Sequence, residues 1–365
     1  MKKSKSPSIA YYVSAHGYGH GVRSCSIIKA INASHPHWVV HVISALPESF
    51  LSAQIDLKRN PLRADSFDVG MAQIDSIRVD VPSTLAKMQQ LYSRRDDLVK
   101  REAAFLQEKG MDVVVVDIPA IPIDAAAKIG IPRLAVGNFA WDWIYSEFIT
   151  QDAGWKPIVD TLSEQYSQTD LLLRLPFCEE MRAFPRIEDI PLVAGPGKNR
   201  RAEIAALTRC DPGKKWILLS FTNLEWPEDS LANVEQIQDY EFFAVDPLQW
   251  QKRNIHTLDR SFMAFADILA SVDAVISKPG FGILSDCIAN GKPLVYADRS
   301  NFREYPVLVD AIRKYIRHVH IPAEELYRGN LAESLSSLWK SPAPSAELAL
   351  GGDRIATQHI GRYIG

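Results

Sequence analysis

Short apolar runs alternate with longer amphipathic stretches over most of this chain. In the first half, the apolar runs typical of strands cover residues 9–14, 38–44, 112–117, 133–137 and 170–175. Four consecutive valines at 113–116 are expected in a central parallel strand that helices cover on both faces. Helical patterns lie between these runs at 22–32, 85–107 and 123–129. The alternation predicts βαβ units and a doubly wound parallel sheet.

A second series follows a segment rich in glycine and basic residues at 195–201. Its predicted strands are 216–221, 241–245, 274–277 and 293–297, and its predicted helices are 261–270 and 283–289. We place the domain boundary at this segment, with one Rossmann-like domain over 1–194 and another over 195–365. A Pro-Ala-Pro-Ser break at 342–345 precedes a last predicted helix at about 353–363.

Composition narrows the class of protein. The 365 residues are 47% hydrophobic and 23% charged, with a net charge of −3. That balance favours neither nucleic acid nor an anionic membrane as a partner. The four cysteines are far apart and form no C-x-x-C pair, which argues against a disulfide framework or a cysteine zinc site. No apolar run reaches the roughly 18 residues of a membrane span, so we expect no transmembrane segment and a cytoplasmic location.

A glycine-rich turn follows the first predicted strand. It contains His16, Gly17, Gly19, His20 and Gly21, and the helix is predicted to begin at about residue 22. Glycines let the backbone approach a ligand closely, and a helix N-terminus binds anions. The turn is not a dinucleotide fingerprint, because its third glycine comes one position early and no acidic residue ends the second strand.

A histidine at the carboxyl edge of a parallel sheet is well placed for chemistry, because ligands bind at that edge. Asp117 ends the valine strand and should reach the same edge, where it could hold one imidazole nitrogen while the other faces substrate. The alternatives are that the two histidines only cap their turn and that Asp117 caps the turn containing Pro119.

A second glycine-rich turn follows the strand at 274–277. Its candidate ligand-binding residues are Ser277, Lys278, Gly280, Phe281 and Gly282. Such a turn can hold a diphosphate on backbone N–H groups, and Asp286, one helical turn later, could accept hydrogen bonds from ribose. Within the polar run at 298–305, Arg303 could bind a phosphate and Glu304 sugar hydroxyls. The alternative is a solvated loop with an internal ion pair.

Metal and hydrolase motifs are absent from the sequence. No D-x-D triplet, Gly-Lys-Ser/Thr loop or G-x-S-x-G elbow occurs, and the His-x-His pairs at 35–37 and 318–320 lack a third ligand nearby. We therefore predict no metal site and no cofactor. Helix N-termini and basic side chains would stabilise charge on a leaving diphosphate.

The chain resembles the GT-B glycosyltransferase superfamily, and within it the glycosyltransferase-like N-terminal half of plant L-arabinokinases. The resemblance rests on residues 15–20, 138–145, 172–176 and 278–282, of which the Asn-Phe-Ala-Trp-Asp stretch at 138–142 is the most specific. It implies two Rossmann-like domains with a nucleotide-sugar in the cleft between them. The last helix would cross back onto the N-terminal domain.

The resemblance also implies roles for individual residues. His20 would deprotonate the acceptor and Asp117 would pair with it, while Asp286 stands where relatives often carry a ribose-binding Glu. Gly17 and Gly19 would line the nucleotide-sugar site. The acceptor would contact the N-terminal domain at candidate residues His16, Asn138, Trp141 and Asp142, although core packing is the other interpretation of the tryptophan.

Together these features predict an inverting, metal-independent glycosyltransferase that uses a nucleotide-sugar, most plausibly a UDP-sugar. The acceptor would be a small molecule or a glycan. Two other functions fit the same fold: a non-catalytic nucleotide-sugar-binding module and a nucleotide-sugar 2-epimerase. The glycine- and serine-rich ATP loop of the arabinokinase sugar-kinase half does not occur in these residues, so arabinose phosphorylation is not implied.

Overall fold

A computed structural model describes residues 6–74, 78–259, 262–299 and 302–364. The chain divides into two compact units. The first contains the described parts of Met1–Ala72, Asp80–Ala194 and Ala349–Gly365, and the second those of Gln73–Val79 and Gly195–Leu348.

The first unit is built on a seven-stranded sheet whose named pairs are all parallel. Its strands are β1 Ser8–Val13, β2 Val39–Ile43, β3 Leu62–Arg63, β4 Val113–Asp117, β5 Arg133–Gly137, β6 Leu171–Arg174 and β7 Ile187–Asp189. The strand order is β3-β2-β1-β4-β5-β6-β7. All four valines of β4 are fully buried, as expected of a strand covered on both faces.

The helices of this unit surround the sheet. They are α1 Tyr18–Ser34, α2 Glu48–Gln54, α3 Val81–Tyr92, α4 Arg95–Lys109, α5 Ile121–Ile129, α6 Trp141–Ser146, α7 Trp155–Ser167 and, from the end of the chain, α15 Gly352–Gly361. Ala356 and Ile360 of α15 belong to the same buried apolar cluster as Ile27 and Ile31 of α1. The last helix therefore packs within the first unit.

The second unit repeats the architecture on a six-stranded parallel sheet. Its strands are β8 Lys215–Ser220, β9 Tyr240–Val245, β10 Ile255–Leu258, β11 Ala274–Ser277, β12 Leu294–Ala297 and β13 His318–Ile321, in the order β10-β9-β8-β11-β12-β13. Its helices are α8 Arg201–Thr208, α9 Glu228–Glu235, α10 Phe265–Ser271, α11 Phe281–Ala289, α12 Tyr305–Tyr315, α13 Ala323–Tyr327 and α14 Ala332–Lys340. The predicted α/β class with two Rossmann-like sheets is confirmed.

Three predicted helices need correction. The helix predicted at 85–107 is two helices, α3 and α4, because the chain leaves helical geometry at Arg94, and Asp96 and Asp97 then favour a new helix N-terminus. The helix predicted from 22 begins at Tyr18. The helix predicted from 261 begins at Phe265, and residue 261 itself lies outside the described residues.

No helix in the described ranges combines the length and the apolar composition that crossing a membrane requires.

Candidate active site

His20 lies on the first turn of α1 and not in the turn before it. Gly17 is the helix N-cap in an extended conformation, with φ −170°. The sequence pattern predicted a helix start after Gly19 and Gly21 because glycine is a poor helix former. A Cβ on Gly21 would lie 2.5 Å from Cε1 of Phe50, so this glycine permits close packing of the helix. Because α1 begins at Tyr18, directly after β1 and its turn, the first turn of α1 lies at the carboxyl edge of the sheet.

His20 contacts Asp117 across two adjacent strands. Val13 pairs with Asp117 in the β1–β4 register, and the Ser14 amide donates to the Asp117 carbonyl at 2.9 Å. Nδ1 of His20 lies 2.8 Å from Oδ1 of Asp117. The imidazole is 7% exposed and the carboxylate 0%. Nδ1 thus faces two partners: the Asp117 carboxylate, which accepts a hydrogen bond from a protonated Nδ1, and Nη2 of Arg23 at 2.9 Å, which can only donate to an unprotonated one.

Two further residues of α1, Arg23 and Ser24, also bind Asp117. Arg23 donates from Nε to Oδ2 at 2.6 Å and from Nη2 to Oδ1, and the Ser24 hydroxyl donates to Oδ2 at 2.8 Å. Burial raises the pKa of Asp117, but the charges of Arg23 and His20 and their hydrogen bonds outweigh it, so the pKa lies well below its usual range. The carboxylate is therefore anionic at neutral pH.

Sequence reasoning missed Arg23 and Ser24. The available signal was their spacing: they follow His20 by three and four residues, and on a helix such positions share one face. The late helix start concealed this relation, because it placed His20 outside the helix.

His16 is held by a neighbouring backbone turn. The Met71 amide donates to Nδ1 of His16 at 3.1 Å, so the proton of the neutral ring is on Nε2. Gly70 adopts φ +67°, and a Cβ there would lie 2.2 Å from Nδ1 of His16. The ring meets Trp141 edge to face at 5.3 Å and lies 6.5 Å from the His20 ring.

A second carboxyl group, Asp68, binds the same Trp141 ring that His16 meets. Its Oδ2 accepts from Nε1 of Trp141 at 3.0 Å. Burial raises its pKa, and a hydrogen bond from Ser14 and the charge of His20 oppose that rise. Asp68 lies in the loop after β3, where the sequence pattern predicted no site residue.

The other acceptor candidates are engaged inside the first unit. Asn138 is 3% exposed, accepts from Nη1 of Arg23 and donates to the Pro176 carbonyl. Trp141 is 2% exposed, and Asp142 accepts from the Ser163 hydroxyl at 2.7 Å. These contacts favour a role in holding the β5–α6 turn, and direct contact with an acceptor stays a prediction.

The second glycine turn ends β11 and begins α11. Ser277 donates its hydroxyl to the Ser220 carbonyl of β8 at 2.8 Å, which fixes the strand end. Gly280 is the N-cap of α11, and the nearest atom to a Cβ placed there is Cγ2 of Ile283, at 4.0 Å. Lys278 lies in the turn, and Phe281 and Gly282 form the first helical positions. Among the described residues, the space beside Gly280 therefore holds no atom closer than 4.0 Å to that Cβ position.

Asp286 lies on the second turn of α11. Burial raises the pKa of this half-buried carboxyl to about 7. Among the described residues it has no hydrogen-bond or salt-bridge partner for its side chain. Donated hydrogen bonds from ligand hydroxyls would favour its anionic form.

Arg299 supports the second glycine turn. Its Nη1 donates to the Pro279 carbonyl at 3.0 Å and lies 3.7 Å from Oε1 of Glu304. Burial lowers the pKa of Arg299 to about 10, against the opposing charge of Glu304. The internal ion pair considered from the sequence thus involves Glu304, while Arg303 lies in the turn before α12 and its phosphate contact stays a prediction. Residues 300 and 301 of the same run lie outside the described ranges.

Within the described ranges, no group of three or more His, Cys, Asp or Glu side chains is arranged to hold a metal ion. The histidines of the 318–320 pair bind protein atoms: His318 contacts the Ile316 carbonyl and His320 contacts Asp298.

The fold is that of known glycosyltransferase structures. Arabidopsis thaliana UGT89C1 complexed with UDP matches with a TM-score of 0.61 and 14% identity, covering 98% of this chain and 99% of that one. A UDP-glucosyltransferase from Polygonum tinctorium capable of glucosylating indoxyl matches with a TM-score of 0.60 and 14% identity, over 99% of both chains. The glycotransferase of kitacinnamycin matches with a TM-score of 0.59 and 17% identity, over 98% and 99%. The chain therefore has the GT-B fold.

In sequence, the chain is similar to L-arabinokinase of Arabidopsis thaliana, with 28% identity over 98% of its own length. It spans only 34% of the length of that relative. No protein-family model matches the chain. The predicted resemblance to GT-B proteins and to L-arabinokinase is confirmed.

Proposed function

We propose that this protein is a glycosyltransferase that moves a sugar from a nucleotide-sugar, specifically a UDP-sugar, to a hydroxyl group of a small molecule or glycan. The observation that carries this proposal is the contact between His20 and Asp117 at the carboxyl edge of the first sheet. It is supported by the GT-B fold and by the UDP named with a structure of that fold.

In the proposed reaction His20 is the general base. Asp117 accepts a hydrogen bond from Nδ1–H and stays ionised, so Nε2 takes the proton of the acceptor hydroxyl. The acceptor oxygen then bonds to the anomeric carbon, while the bond from that carbon to the diphosphate oxygen breaks and its electron pair leaves with the nucleoside diphosphate. Attack opposite the leaving group inverts the configuration. A positioned base of this kind contributes roughly 10²–10⁴ in rate.

Donor binding is assigned to the second unit. The N–H groups at the start of α11 would hold the diphosphate, each charge-assisted bond contributing about 1.5–3 kcal/mol. Asp286 would accept hydrogen bonds from the ribose. These groups would also stabilise the charge of the departing diphosphate, and on this ground we propose a reaction that needs no metal ion.

The proposal is tested in two stages. Thermal unfolding with UDP, dTDP and a panel of UDP-sugars identifies the donor, because a ligand raises the apparent stability of the state that binds it. Transfer is then followed by UDP release and by mass spectrometry of acceptor panels. We expect His20→Ala to lower turnover by roughly 10²–10⁴ with an unchanged donor dissociation constant. His37→Ala, at an exposed histidine, is the matched control and should leave turnover unchanged.

Other results would redirect the assignment. Stabilisation by a UDP-sugar without turnover on any acceptor would indicate a binding module. An epimerised sugar formed without acceptor, detected by NMR, would indicate a 2-epimerase. Transfer that is undiminished in His20→Ala would refute the proposed base.

A further inference from the structure

Arg299 lies two residues after the end of β12 and contacts two helix starts of the second unit. Its Nη1 donates to the Pro279 carbonyl at 3.0 Å and lies 3.7 Å from Oε1 of Glu304. Pro279 directly precedes Gly280, the N-cap of α11, and Glu304 is the N-cap of α12. Because one nitrogen contacts both partners, the Glu304 carboxylate lies within a few ångström of the second glycine turn.

This arginine is buried with few partners. Its side chain is 5% exposed and lies over the Phe302 ring. Burial lowers the pKa of Arg299 to about 10, so the guanidinium is still charged at neutral pH. Within the part of the chain that the structure describes, its Nε has no hydrogen-bond partner. A buried charge that is incompletely paired adds little to stability, so the fold alone does not account for Arg299.

A second arginine of the same unit is bound more completely. Arg201 lies over the Trp216 ring and pairs with Asp273 at 3.0 Å. It also donates to the carbonyl groups of Ser271 and Lys214. These contacts lie at the amino edge of the sheet, where β8 and β11 begin, and the glycine turn lies at the carboxyl edge. Arg201 therefore serves the fold at the opposite edge.

The position of Glu304 creates an electrostatic conflict. Glu304 is the candidate ligand of the sugar hydroxyls, and the second glycine turn is the candidate ligand of the diphosphate. A carboxylate so close to the turn would repel the diphosphate and lower its affinity by about tenfold or more. The positive charge of Arg299, which contacts both groups, offsets that repulsion.

We propose that Arg299 is a positioning residue of the donor site. It holds Glu304 beside the second glycine turn and balances its charge, so that a sugar-binding carboxylate can lie next to the diphosphate of the same nucleotide-sugar. This role rests on the proposed function. It explains how the site can bind an intact nucleotide-sugar in preference to the free nucleotide.

Calorimetry with UDP and UDP-glucose tests the charge balance at mildly alkaline pH, where carboxyl groups are ionised. Arg299→Met leaves the charge of Glu304 unbalanced and should raise the Kd of UDP by about tenfold or more. Arg299→Met/Glu304→Gln removes both charges, so UDP should again bind about as tightly as to the wild type. UDP-glucose should stay weakly bound, because a neutral amide is a weaker acceptor than a carboxylate. A second substitution would not repair a simple loss of packing.

Arg201→Met is the matched control. It should lower the midpoint of thermal unfolding and leave both dissociation constants unchanged. Arg299→Met should change the dissociation constants with a smaller loss of thermal stability. Glu304→Gln alone keeps Arg299 and should bind UDP at least as tightly as the wild type, but UDP-glucose more weakly. That variant tests the charge balance even if Arg299→Met does not fold, and an equal loss of both ligands would contradict it.

Hydrogen exchange of the unliganded protein tests the positioning by itself. The Leu284 amide makes the first hydrogen bond of α11, at 3.1 Å, and the Leu308 amide the first of α12, at 3.0 Å. Both amides should exchange faster in Arg299→Met, because the contact that joins the two helix starts is gone. The Leu326 amide, at the start of α13, should exchange at an unchanged rate.

The results separate this role from the proposed function. If the wild type binds neither UDP nor UDP-glucose, the proposed donor site fails and the charge balance with it, while hydrogen exchange still decides the positioning. If the wild type binds them, a UDP defect in Arg299→Met that the double variant does not repair would overturn the charge balance. Unchanged binding in folded Arg299→Met would do the same. Unchanged exchange at Leu284 and Leu308 would overturn the positioning.

Discussion

Asp117 is completely buried and accepts hydrogen bonds from Arg23, His20 and Ser24. Removing one partner of a buried charge pair leaves the other charge unpaired, which typically costs about 3–5 kcal/mol. We therefore expect Asp117→Asn to lower the free energy of unfolding at neutral pH by about that amount. Urea unfolding measures it, with Asp310→Asn, at an exposed position of α12, as the control that should cost little.

The same variant should reveal a pH dependence of known sign. The pKa of Asp117 is lower in the folded than in the unfolded protein. Its contribution to stability is therefore complete above the unfolded carboxyl pKa of about 4 and is lost as the pH falls from there towards the folded pKa. The stability gap between wild type and Asp117→Asn should narrow below about pH 4. A constant gap over that range would contradict the pairing.

The raised pKa of Asp286 predicts that donor binding also depends on pH. Burial raises its pKa to about 7, and ribose hydroxyls would donate to the anionic form. Affinity for UDP-glucose, whose diphosphate diester does not titrate in this range, should fall by up to about tenfold per pH unit below 7. Calorimetry should show that slope in the wild type and a flat profile in Asp286→Asn. A flat wild-type profile would remove Asp286 from the donor site.

At the scale of elements, the loop between β3 and α3 contacts His16 at Gly70 and Met71. Gly70→Ala would place a side chain at φ +67° and 2.2 Å from Nδ1 of His16. Gly130→Ala is a matched control, because its φ is +73° but nothing lies within 4 Å. Both substitutions should lower the free energy of unfolding by roughly 1–2 kcal/mol, because each places a side chain on a left-handed backbone. In urea unfolding, Gly70→Ala should lower the free energy of unfolding by more than Gly130→Ala does. Only Gly70→Ala should also shift the NMR tautomer signals of His16. An equal loss of stability in the two variants would refute the contact.

The sequence pattern predicts strands according to their place in the sheet. All nine predicted strands are present, and they form the inner strands of both sheets. The four that were not predicted are the edge strands β3, β7, β10 and β13, which have two to four residues each. An edge strand is short and partly solvated, so its apolar pattern is too weak to stand out from a loop.

The candidate site was predictable to a similar extent. Strand order in a doubly wound sheet brings the ends of β1 and β4 together, and the contact of His20 with Asp117 follows from it. To predict the role of Arg23 one needs the correct start of α1, which the glycines obscured. To predict the position of Asp68 one needs the path of a loop that has no periodic pattern. Local patterns thus predicted the pair of side chains, but not the charges that surround it.

At the scale of the whole molecule, each unit has its own buried apolar cluster. Ile360 of α15 belongs to the cluster of the first unit, together with Val115 of β4. Leu338 of α14 belongs to the cluster of the second, together with Ile276 of β11. The chain returns to the first unit through a parallel bridge between Leu192 and Leu350. Segments far apart in sequence, such as α15 and β4, therefore belong to one apolar cluster. The helices α14 and α15, which are neighbours in sequence, belong to different clusters.

This division predicts where two similar substitutions act. Ile360 and Leu338 are both 0% exposed, and truncating either to alanine should cost about 2–5 kcal/mol. In hydrogen exchange measured by mass spectrometry, Ile360→Ala should speed exchange in α1, more than 300 residues earlier in the chain, and leave β11 and α14 protected. Leu338→Ala should do the reverse. If either variant loosened both sets of segments equally, the two clusters would unfold as one cooperative core, and the assignment of α15 to the first unit alone would be wrong.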